Sequence, residues 1–339
     1  MTIRIAINGM GRIGRCVARA IVEEGYDDIE LVAVNGGSGD VETIAHLLKY
    51  DSIHGAFHHV EAHHEFETDT KNLIIAGKKV KLLSERDPSK LGWADLGVDL
   101  VMECTGAFKG KEDSYAHISG SGAKKVMISS PAEGVDATIV YGVNNAALKP
   151  EHEVISIGSC TTNCLAPVAK TLNDAIGIEN GYMTTIHSYT NDQMIVDGKH
   201  KDLRRARAAA LSMIPTSTGA AKALGEVLPE LKGKLDGTAV RVPTPNVSLV
   251  DFTFVPSRAT SIDEVNAAIA KNANGPMKGI LRYTDEELVS TDFNHDKHSS
   301  IFDSKLTKVV NGKLVRVAAW YDNEWGFSCR MLDIARIWN

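Results

Sequence analysis

The residues best suited to chemistry form a short polar segment, Ser159–Cys164, directly ahead of an apolar run over 165–169. This pattern predicts a helix that begins at Cys160. A helix start presents free backbone N–H groups and a partial positive charge, and both favour a thiolate over a thiol. Ser159 is a suitable N-cap, and a cysteine among hydroxyl and amide side chains fits an apolar core poorly. We therefore predict that Cys160 is a nucleophile and that Cys164, one turn later, is a packed helix residue.

His187 is the predicted partner of that thiol. It lies at the end of a threonine-rich, strand-like segment, Gly181–Ser188, and polar residues follow it. An imidazole that pairs with a thiol lowers the thiol pKa and later accepts a proton from a hydroxyl group. The paired histidines at 58–59 and 63–64 lie in a polar stretch without a nearby cysteine, so no metal site is predicted.

A second candidate site is the glycine-rich segment Gly9–Gly14, which separates a strand-like run, Ile3–Asn8, from an amphipathic stretch, Arg12–Glu24. In such a setting the first glycine allows a tight turn. The second lets the backbone approach a pyrophosphate, and the third lets the helix pack on the strand. We predict a dinucleotide site that includes Gly9, Gly11, Arg12, Ile13, Gly14, Asn35, Gly36, Ser38, Thr105, Gly106 and Ser129.

The end of the second predicted strand, Leu31–Asn35, bears on the choice of cofactor. An acidic residue that binds the adenosine ribose is usual there, but Gly36–Gly39 follows instead. A carboxylate at this position would repel the additional ribose phosphate of NADP. Glycines instead leave space for that phosphate, and Ser38 offers it a hydrogen-bond donor. We predict NAD or NADP as cofactor, with NADP tolerated or preferred. Two alternatives favour NAD: Asp40 replaces the missing acid, or Asn35 alone is sufficient.

These sites require an α/β framework. Strand-like and helical runs alternate in the first half and predict a doubly wound (Rossmann) parallel sheet, although 58–75 indicates a meander of short, exposed strands. Alternating segments such as Val247–Pro256 and Leu314–Tyr321 predict an α+β second domain with a mostly antiparallel sheet. We expect a dinucleotide-binding domain over 1–158 and a catalytic domain over 159–322.

The bulk composition fits a soluble enzyme of two domains, since 43% of the 339 residues are hydrophobic and 24% are charged. The net charge of −6 excludes a general attraction to nucleic acid or to an anionic membrane. Five cysteines, an odd number, argue for a reducing compartment. Since the N-terminus has no signal-peptide pattern and no apolar run reaches spanning length, we expect a cytoplasmic protein. The basic run 201–207 lacks aromatic residues, and no nucleic-acid partner is expected.

Seven motifs spread over essentially the whole chain resemble those of the glyceraldehyde-3-phosphate dehydrogenase family. They are Asn8–Gly14, His46–Ser52, Ser159–Cys164, Thr185–Thr190, Pro215–Lys222, Arg241–Asn246 and Trp320–Gly326. The resemblance implies a phosphorylating aldehyde dehydrogenase of glycolysis or gluconeogenesis that assembles as a homotetramer. It also implies that the last helix, 323–339, packs back on the cofactor domain.

The same resemblance assigns further site residues. Asn323 would orient the carboxamide of the nicotinamide, and Arg241 and Thr190 would bind the phosphate of the substrate. The residues for the attacking phosphate would be Ser159, Thr161, Thr218 and Gly219, and Arg205 would serve either anion. Two departures favour NADP: Gly36 replaces an aspartate, and Gly198-Lys199 replaces a frequent Leu-Pro, so that Lys199 supplies a cation.

The expected reaction begins when Cys160 adds to an aldehyde and forms a hemithioacetal, from which His187 accepts the hydroxyl proton as a hydride passes to the nicotinamide. Inorganic phosphate then attacks the thioester and gives an acyl phosphate, 1,3-bisphosphoglycerate. One rival is an erythrose-4-phosphate dehydrogenase of the same family. A rival of another class is a nucleotide- or RNA-binding protein, against which the intact Cys160 and His187 argue.

Overall fold

The computed structural model describes residues 2–37, 39–65 and 70–338. The chain forms two compact units. The first comprises Met1–Ile139, Ala146–Gly158 and Ser328–Asn339, and the second comprises Val140–Asn145 and Ser159–Phe327. The domain ranges expected from the sequence stay a prediction.

The first unit contains short helices and many strands. Its helices are α1 (Arg12–Glu23), α2 (Val41–Lys49), α3 (Lys111–Ser114) and α4 (Ala116–Ser119). Its strands are β1 (Ile3–Asn8), β2 (Ile29–Asn35), β3 (Tyr50–Asp51), β4 (Gly55–Ala56), β5 (Val60–Glu65), β6 (Thr70–Ile75), β7 (Lys78–Leu83), β8 (Leu100–Glu103), β9 (Lys125–Ile128), β10 (Ala137–Thr138) and β11 (Val154–Ser156).

Nine of these strands form one sheet in the order β10-β11-β9-β8-β1-β2-β7-β6-β5, and all pairings from β10 to β7 are parallel. The apolar residues of β1 and β8 are buried, as a strand covered on both faces requires. From β1 the chain winds outward through β2 to β7, then crosses back to β8 on the other side of β1 and winds outward again through β9, which is the doubly wound topology, so the predicted fold class is confirmed for this unit.

The expectation for 58–75 was correct in its pairing and wrong in part on exposure. β5, β6 and β7 are consecutive antiparallel neighbours and so form a meander, and residues 61–63 are exposed. Leu73 and Ile75 of β6 are buried, however, because alternate side chains of a strand share one face and this face of β6 is covered.

The second unit packs helices on a mixed sheet. Its helices are α5 (Cys160–Ile176), α6 (Ala220–Val227) and α7 (Ile262–Ala273), and α8 (Trp325–Ile337) begins in this unit and continues into the first. Its strands are β12 (Ile178–Ser188), β13 (Ile214–Ser217), β14 (Leu235–Val242), β15 (Ser248–Pro256), β16 (Leu281–Thr284), β17 (Ser300–Asp303), β18 (Lys308–Val310) and β19 (Leu314–Tyr321).

The strand order is β13-β14-β12-β15-β19-β17-β16, with β18 beside β19. Among the described strands of this second sheet, only the β12–β14 and β16–β17 pairings are parallel, so the predicted mostly antiparallel sheet is confirmed. The apolar face of α5, including Cys164 and Leu172, is buried in the main core of this unit together with Phe252 and Phe254. This packing holds the first residue of α5 in a defined place on the sheet.

Within the described ranges, no helix combines the length and the apolar character that a bilayer crossing requires.

Candidate active site

The start of α5 has the geometry that its sequence predicts. Gly158 has a positive φ of 68°, and Ser159 is the N-cap in an extended conformation with φ −103° and ψ 164°. Its Oγ accepts a hydrogen bond from the backbone N–H of Thr162 at 3.0 Å. Cys160 is therefore the first helical residue, at the positive end of a 17-residue helix.

Cys160 and His187 lie together, as predicted. The sulfur of Cys160 is 3.5 Å from Nε2 of His187, which is 4% exposed near the end of β12. Nδ1 of His187 is 2.7 Å from the carbonyl oxygen of Ser188. When Nδ1 carries a proton and donates it to this carbonyl, Nε2 has a free lone pair directed at the thiol, which is the tautomer that a base requires.

The electrostatics of the pair differ from the expectation of a resting thiolate. Although Cys160 is partly exposed as a residue, burial of the thiol raises its pKa, and the guanidinium of Arg241 and the N–H and hydroxyl of Thr161 only partly oppose this. Burial and the charge of Arg241 lower the pKa of His187 to about 3. In the ligand-free protein both partners are therefore neutral, because desolvation outweighs the helix start and the imidazole.

Arg241 is brought next to His187 by the register of the sheet. The two residues are direct partners across the parallel strands β12 and β14. Nη1 of Arg241 donates to the carbonyl of Ser188 at 3.0 Å, so that this oxygen accepts from both Arg241 and His187; with the proton on Nδ1 of His187, the 2.9 Å approach of Nη1 to Nδ1 is a contact between two donors and not a hydrogen bond. Nε of Arg241 is buried and has no hydrogen-bond partner among the described residues. A buried guanidinium with an unused donor is suited to an anion such as phosphate.

Tyr321 is a member of this cluster that sequence reasoning missed. Its hydroxyl is 2.9 Å from Oγ1 of Thr161 and 2.8 Å from Oγ1 of Thr185, and its ring meets that of His187 edge-on at 5.8 Å. Burial raises the pKa of Tyr321, so the phenol stays protonated. Its hydroxyl therefore links Thr161 of α5 to Thr185 of β12 by hydrogen bonds. The available signal was its place directly before Asp322, inside one of the seven motifs.

Two of the predicted phosphate residues lie at another helix start. Gly219 is the N-cap of α6, and Oγ1 of Thr218 accepts from the N–H of Ala220 at 3.2 Å. Thr218 thus acts as a cap, which leaves its own hydroxyl proton available as a donor. Thr161, by contrast, is 4% exposed and its hydroxyl is already engaged by Tyr321.

The remaining two anion candidates lie in the irregular segment between β12 and β13. Thr190 is tied to the side chain of Gln193 through its N–H at 2.9 Å. Arg205 donates from Nε to Thr216 at 2.8 Å and from Nη2 to the carbonyl of Ser217 at 3.2 Å, and it pairs with Asp192. An anion at Arg205 must therefore share the guanidinium with this carboxylate.

The glycine-rich segment of the first unit fits a dinucleotide. Gly9 has a φ of 101°, and a Cβ on it would lie 2.7 Å from the nitrogen of Thr105. A Cβ on Gly14 would lie 2.0 Å from the oxygen of Gly9, whereas nothing lies within 4 Å of a Cβ on Gly11. Gly11 is the N-cap of α1 and provides no side-chain cap. The start of α1 is thus open backbone, as a pyrophosphate requires.

The residues that bear on the adenosine ribose are already engaged. Asn35 uses both protons of Nδ2, toward Asn8 and the carbonyl of Glu85, each at 2.7 Å. Asp40 caps α2 by accepting from the N–H of Thr43 at 2.6 Å. A Cβ on Gly36 would lie 2.1 Å from Cδ1 of Ile44, so this side chain takes up the space where an acid would begin. Ser38 lies outside the described residues.

The other predicted cofactor residues are distributed over both units. Thr105 and Gly106 follow β8 and Ser129 follows β9, at the carboxyl ends of strands in the first unit. The side chain of Arg12 is paired with Asp51 at 2.5 Å, while Ile13 is half-buried in the first turn of α1.

Lys199 and Asn323 belong to the second unit. Lys199 is exposed. Oδ1 of Asn323 accepts from Oγ of Ser188 at 2.8 Å and from Oγ of Ser248 at 3.1 Å. These two bonds fix the orientation of the amide.

Comparison with known proteins shows which proteins this chain resembles. Residues 3–111 match the family model "Glyceraldehyde 3-phosphate dehydrogenase, NAD binding domain", and residues 159–323 match "Glyceraldehyde 3-phosphate dehydrogenase, C-terminal domain". The chain is 60% identical over 336 residues to the glyceraldehyde-3-phosphate dehydrogenase of Cereibacter sphaeroides, which covers 99% of this chain and 98% of the relative. With the same coverage, it is 57% identical to the enzyme of Xanthobacter flavus and 54% identical to that of Geobacillus stearothermophilus.

Proposed function

The chain belongs to the glyceraldehyde-3-phosphate dehydrogenase family, and we propose that it oxidises glyceraldehyde 3-phosphate with uptake of inorganic phosphate, or catalyses the reverse reaction. The observation that carries this proposal is the 3.5 Å contact between Cys160 Sγ and His187 Nε2 at the start of α5. Bound NAD or NADP supplies the hydride acceptor. The names of the relatives favour the three-carbon aldehyde phosphate over erythrose 4-phosphate.

Cys160 is the proposed nucleophile and His187 the proposed base. As the sulfur bonds to the aldehyde carbon, the thiol proton passes to Nε2 of His187, and from there to the developing alkoxide to give the hemithioacetal. Nε2 then takes this hydroxyl proton back when the carbon is oxidised to a thioester. The neutral state of both groups before substrate binds suits this sequence, because Nε2 can accept a proton only if it is not already protonated.

Two anions have to be held during this reaction. We assign the substrate phosphate to Arg241 and Thr190, since the unused buried Nε of Arg241 is a donor without a partner among the described residues. We assign the attacking phosphate to Ser159, Thr161, Thr218 and the N–H of Gly219, all at helix starts, where backbone N–H groups favour anions. Arg205 serves either anion after partial release from Asp192.

The reaction is tested by following NADH or NADPH formation from glyceraldehyde 3-phosphate with and without inorganic phosphate. We expect a phosphate-dependent rise in absorbance and an acid-labile acyl phosphate as product. If the absorbance rises with neither cofactor, the proposed dehydrogenase activity is ruled out. A rise that does not depend on phosphate would indicate hydrolysis of the thioester and contradict the phosphate assignment.

We propose that the site accepts NADP as well as NAD. Among the described residues, no carboxylate takes the usual ribose position: Gly36 replaces it, Asp40 is engaged as a helix cap, and the side chain of Asn35 has no donor left. Lys199 is proposed to neutralise the additional phosphate. The ratio of kcat/KM for the two cofactors tests this, and a strong preference for NAD would contradict it. Because Ile44 fills the space beside Gly36, the variant that restores NAD specificity should combine G36D with I44A.

The remaining proposals concern the oligomeric state, the cellular compartment and the domain bounds. We propose a homotetramer, supported by five apolar side chains of the segment between β12 and β13 that are 72–88% exposed: Ile195, Val196, Leu203, Leu211 and Met213. The mass in solution tests this. We also propose a cytoplasmic enzyme whose cofactor domain spans 1–158, with 323–339 packed on it, and whose catalytic domain spans 159–322.

A further inference from the structure

A buried hydrogen-bond network in the first unit has no part in the reaction described above. Its centre is Glu103, the last residue of β8, and its other members are His117 of α4, Trp93 and Asn8. Glu103 is 1% exposed and His117 and Trp93 are both 0% exposed. Burial of a carboxylate is unfavourable unless donors replace its lost water, so the contacts of Glu103 need to be accounted for one by one.

The position of each proton follows from the indole of Trp93. Its Nε1 is 3.0 Å from Nδ1 of His117, and an indole nitrogen can only donate. Nδ1 of His117 is therefore an acceptor and its proton lies on Nε2, which is 3.1 Å from Oε2 of Glu103. A second proton on Nδ1 would break the bond from Trp93. His117 is thus held as a neutral donor to the carboxylate.

Both oxygens of Glu103 are satisfied by donors. Besides His117, Oε2 accepts from Nδ2 of Asn8 at 2.5 Å. Oε1 accepts from the N–H of Thr105 at 2.7 Å and also from the hydroxyl of Thr105. All four groups are donors toward Glu103, and an ionised carboxylate is the side chain that accepts from all of them at once.

These contacts connect Glu103 with the backbone at the carboxyl end of the sheet. Having donated to Glu103, Oγ1 of Thr105 accepts from the N–H of Ala107 at 3.1 Å and so shapes a turn in which Gly106 has a φ of 70°. On the other side, Oδ1 of Asn8 accepts from Nδ2 of Asn35 at 2.7 Å. Asn8, Asn35 and Glu103 are the last residues of the adjacent parallel strands β1, β2 and β8. This edge is where α/β sheets bind dinucleotides.

We propose that Glu103 is a positioning residue for the dinucleotide. Its carboxylate, with His117 and Trp93 behind it, holds the turn 105–107 and the two strand-end asparagines in the arrangement that receives the cofactor. This inference rests on the proposed cofactor site and goes beyond it, because none of Glu103, His117 and Trp93 is a proposed cofactor contact.

The decisive variant is E103Q, which keeps the size of the side chain but replaces one acceptor oxygen by an NH₂ group. In either orientation this group faces donors, those of Thr105 or those of Asn8 and His117. We expect the Kd for NAD⁺, measured by calorimetry, to rise about tenfold, the effect of losing one buried hydrogen bond to a charged group. The alkylation rate of Cys160 without cofactor should stay as in the wild type.

Two further comparisons separate positioning from general stability. E30Q alters a half-exposed carboxylate of the same unit, 2.7 Å from Arg4, and should leave the Kd unchanged. W93F removes the indole N–H that donates to Nδ1 of His117 and so frees the proton on Nε2; because Trp93 is not a proposed cofactor contact, an expected rise of about threefold in the Kd would report positioning alone.

If E103Q does not fold, W93F still decides the question. A wild-type Kd in E103Q or W93F, even with a lowered melting temperature, would show a merely structural role and overturn the proposal. Because cofactor affinity is the readout, failure of phosphate-dependent NADH formation would count against the proposed reaction and not against this inference.

Discussion

Two helices of this molecule begin just after a glycine of positive φ, yet their first turns are equipped differently. α1 follows β1 through Gly9, with a φ of 101°, and its N-cap Gly11 has no side chain. α5 follows Gly158, with a φ of 68°, and its N-cap Ser159 accepts from the N–H of Thr162 at 3.0 Å. Both helix starts offer the same resource, namely backbone N–H groups and the positive end of the dipole.

The difference shows how one local geometry serves two kinds of anion. The bare start of α1 is suited to a charged group that a ligand brings, because backbone must approach the ligand closely and any Cβ would interfere. At the start of α5 the group that becomes an anion is the sulfur of Cys160, which belongs to the protein itself, and the hydroxyl of Ser159 caps the helix beside it. Burial of that thiol raises its pKa, so the charge develops only when the reaction begins.

The largest expected effect comes from removing the thiol at the start of α5 while leaving the start of α1 intact. C160S replaces the sulfur by a much weaker nucleophile and should lower kcat by at least about 10⁴-fold. The Kd for NAD⁺ should not change, because the start of α1 is left intact. Steady-state kinetics and calorimetry measure the two quantities, and substantial turnover in the purified variant would contradict the assigned nucleophile.

The next prediction concerns the bare helix start and compares two glycines. G14A places a Cβ 2.0 Å from the carbonyl oxygen of Gly9 and should destabilise the protein by about 1–3 kcal/mol. G11A meets no atom within 4 Å and should change stability much less, while still weakening NAD⁺ binding because the methyl group lies where the pyrophosphate approaches. Urea denaturation and calorimetry distinguish the two. Equal losses of stability would show that packing alone explains both glycines.

The third prediction tests the raised pKa of the thiol at the start of α5. Because burial raises the pKa of Cys160, alkylation by iodoacetamide in the ligand-free enzyme should increase with pH around a midpoint above the usual thiol range. No step is expected near pH 6.5, since the pKa of His187 is lowered to about 3 and the imidazole stays neutral there. R241M should move the midpoint still higher, because the guanidinium favours the thiolate.

A matched control for R241M is R316M, which removes an arginine of the same unit that is paired with Asp251 at 2.7 Å. This variant should leave the alkylation profile unchanged. If the alkylation profile of the wild type has its midpoint near neutral pH, the helix start lowers the pKa of Cys160 by more than burial raises it, and the assigned neutral thiol is wrong.

The smallest expected effect concerns the serine cap. S159A and S261A each remove an N-cap hydroxyl that accepts from a backbone N–H, at the starts of α5 and α7. Both should lower the free energy of unfolding by about 1 kcal/mol. Only S159A should also raise the KM for phosphate. If S261A has the same kinetic effect, the role assigned to Ser159 beyond capping is wrong.

Much of the fold and part of the site could be predicted because the signals are local. Gly9–Gly14 between a strand and a helix, and Ser159 ahead of an apolar run, determine two helix starts within a few residues. The family motifs identified the cluster of Cys160, His187 and Arg241. The meander was predicted correctly, but the burial of Leu73 and Ile75 in β6 was not, because it depends on what covers that face of the sheet.

The rest of the site depends on contacts between residues far apart in the chain. Tyr321 meets Thr161 from 160 positions away, and Glu103 meets Asn8 from 95. Nothing in the sequence near Glu103 indicates that Trp93 fixes the proton of His117. Such contacts follow from strand order and register, which pattern alone does not specify.

By itself, the sequence of this protein determined the kinds of chemical group available and the places where helices begin, because both depend on residue type and short-range spacing. Only the tertiary structure decided the charge state of the thiol and the imidazole, since the sign of a pKa shift depends on how burial compares with the charges brought nearby. It also decided which polar groups are already engaged and which, like Nε of Arg241, are buried and have no partner among the residues that the structure describes.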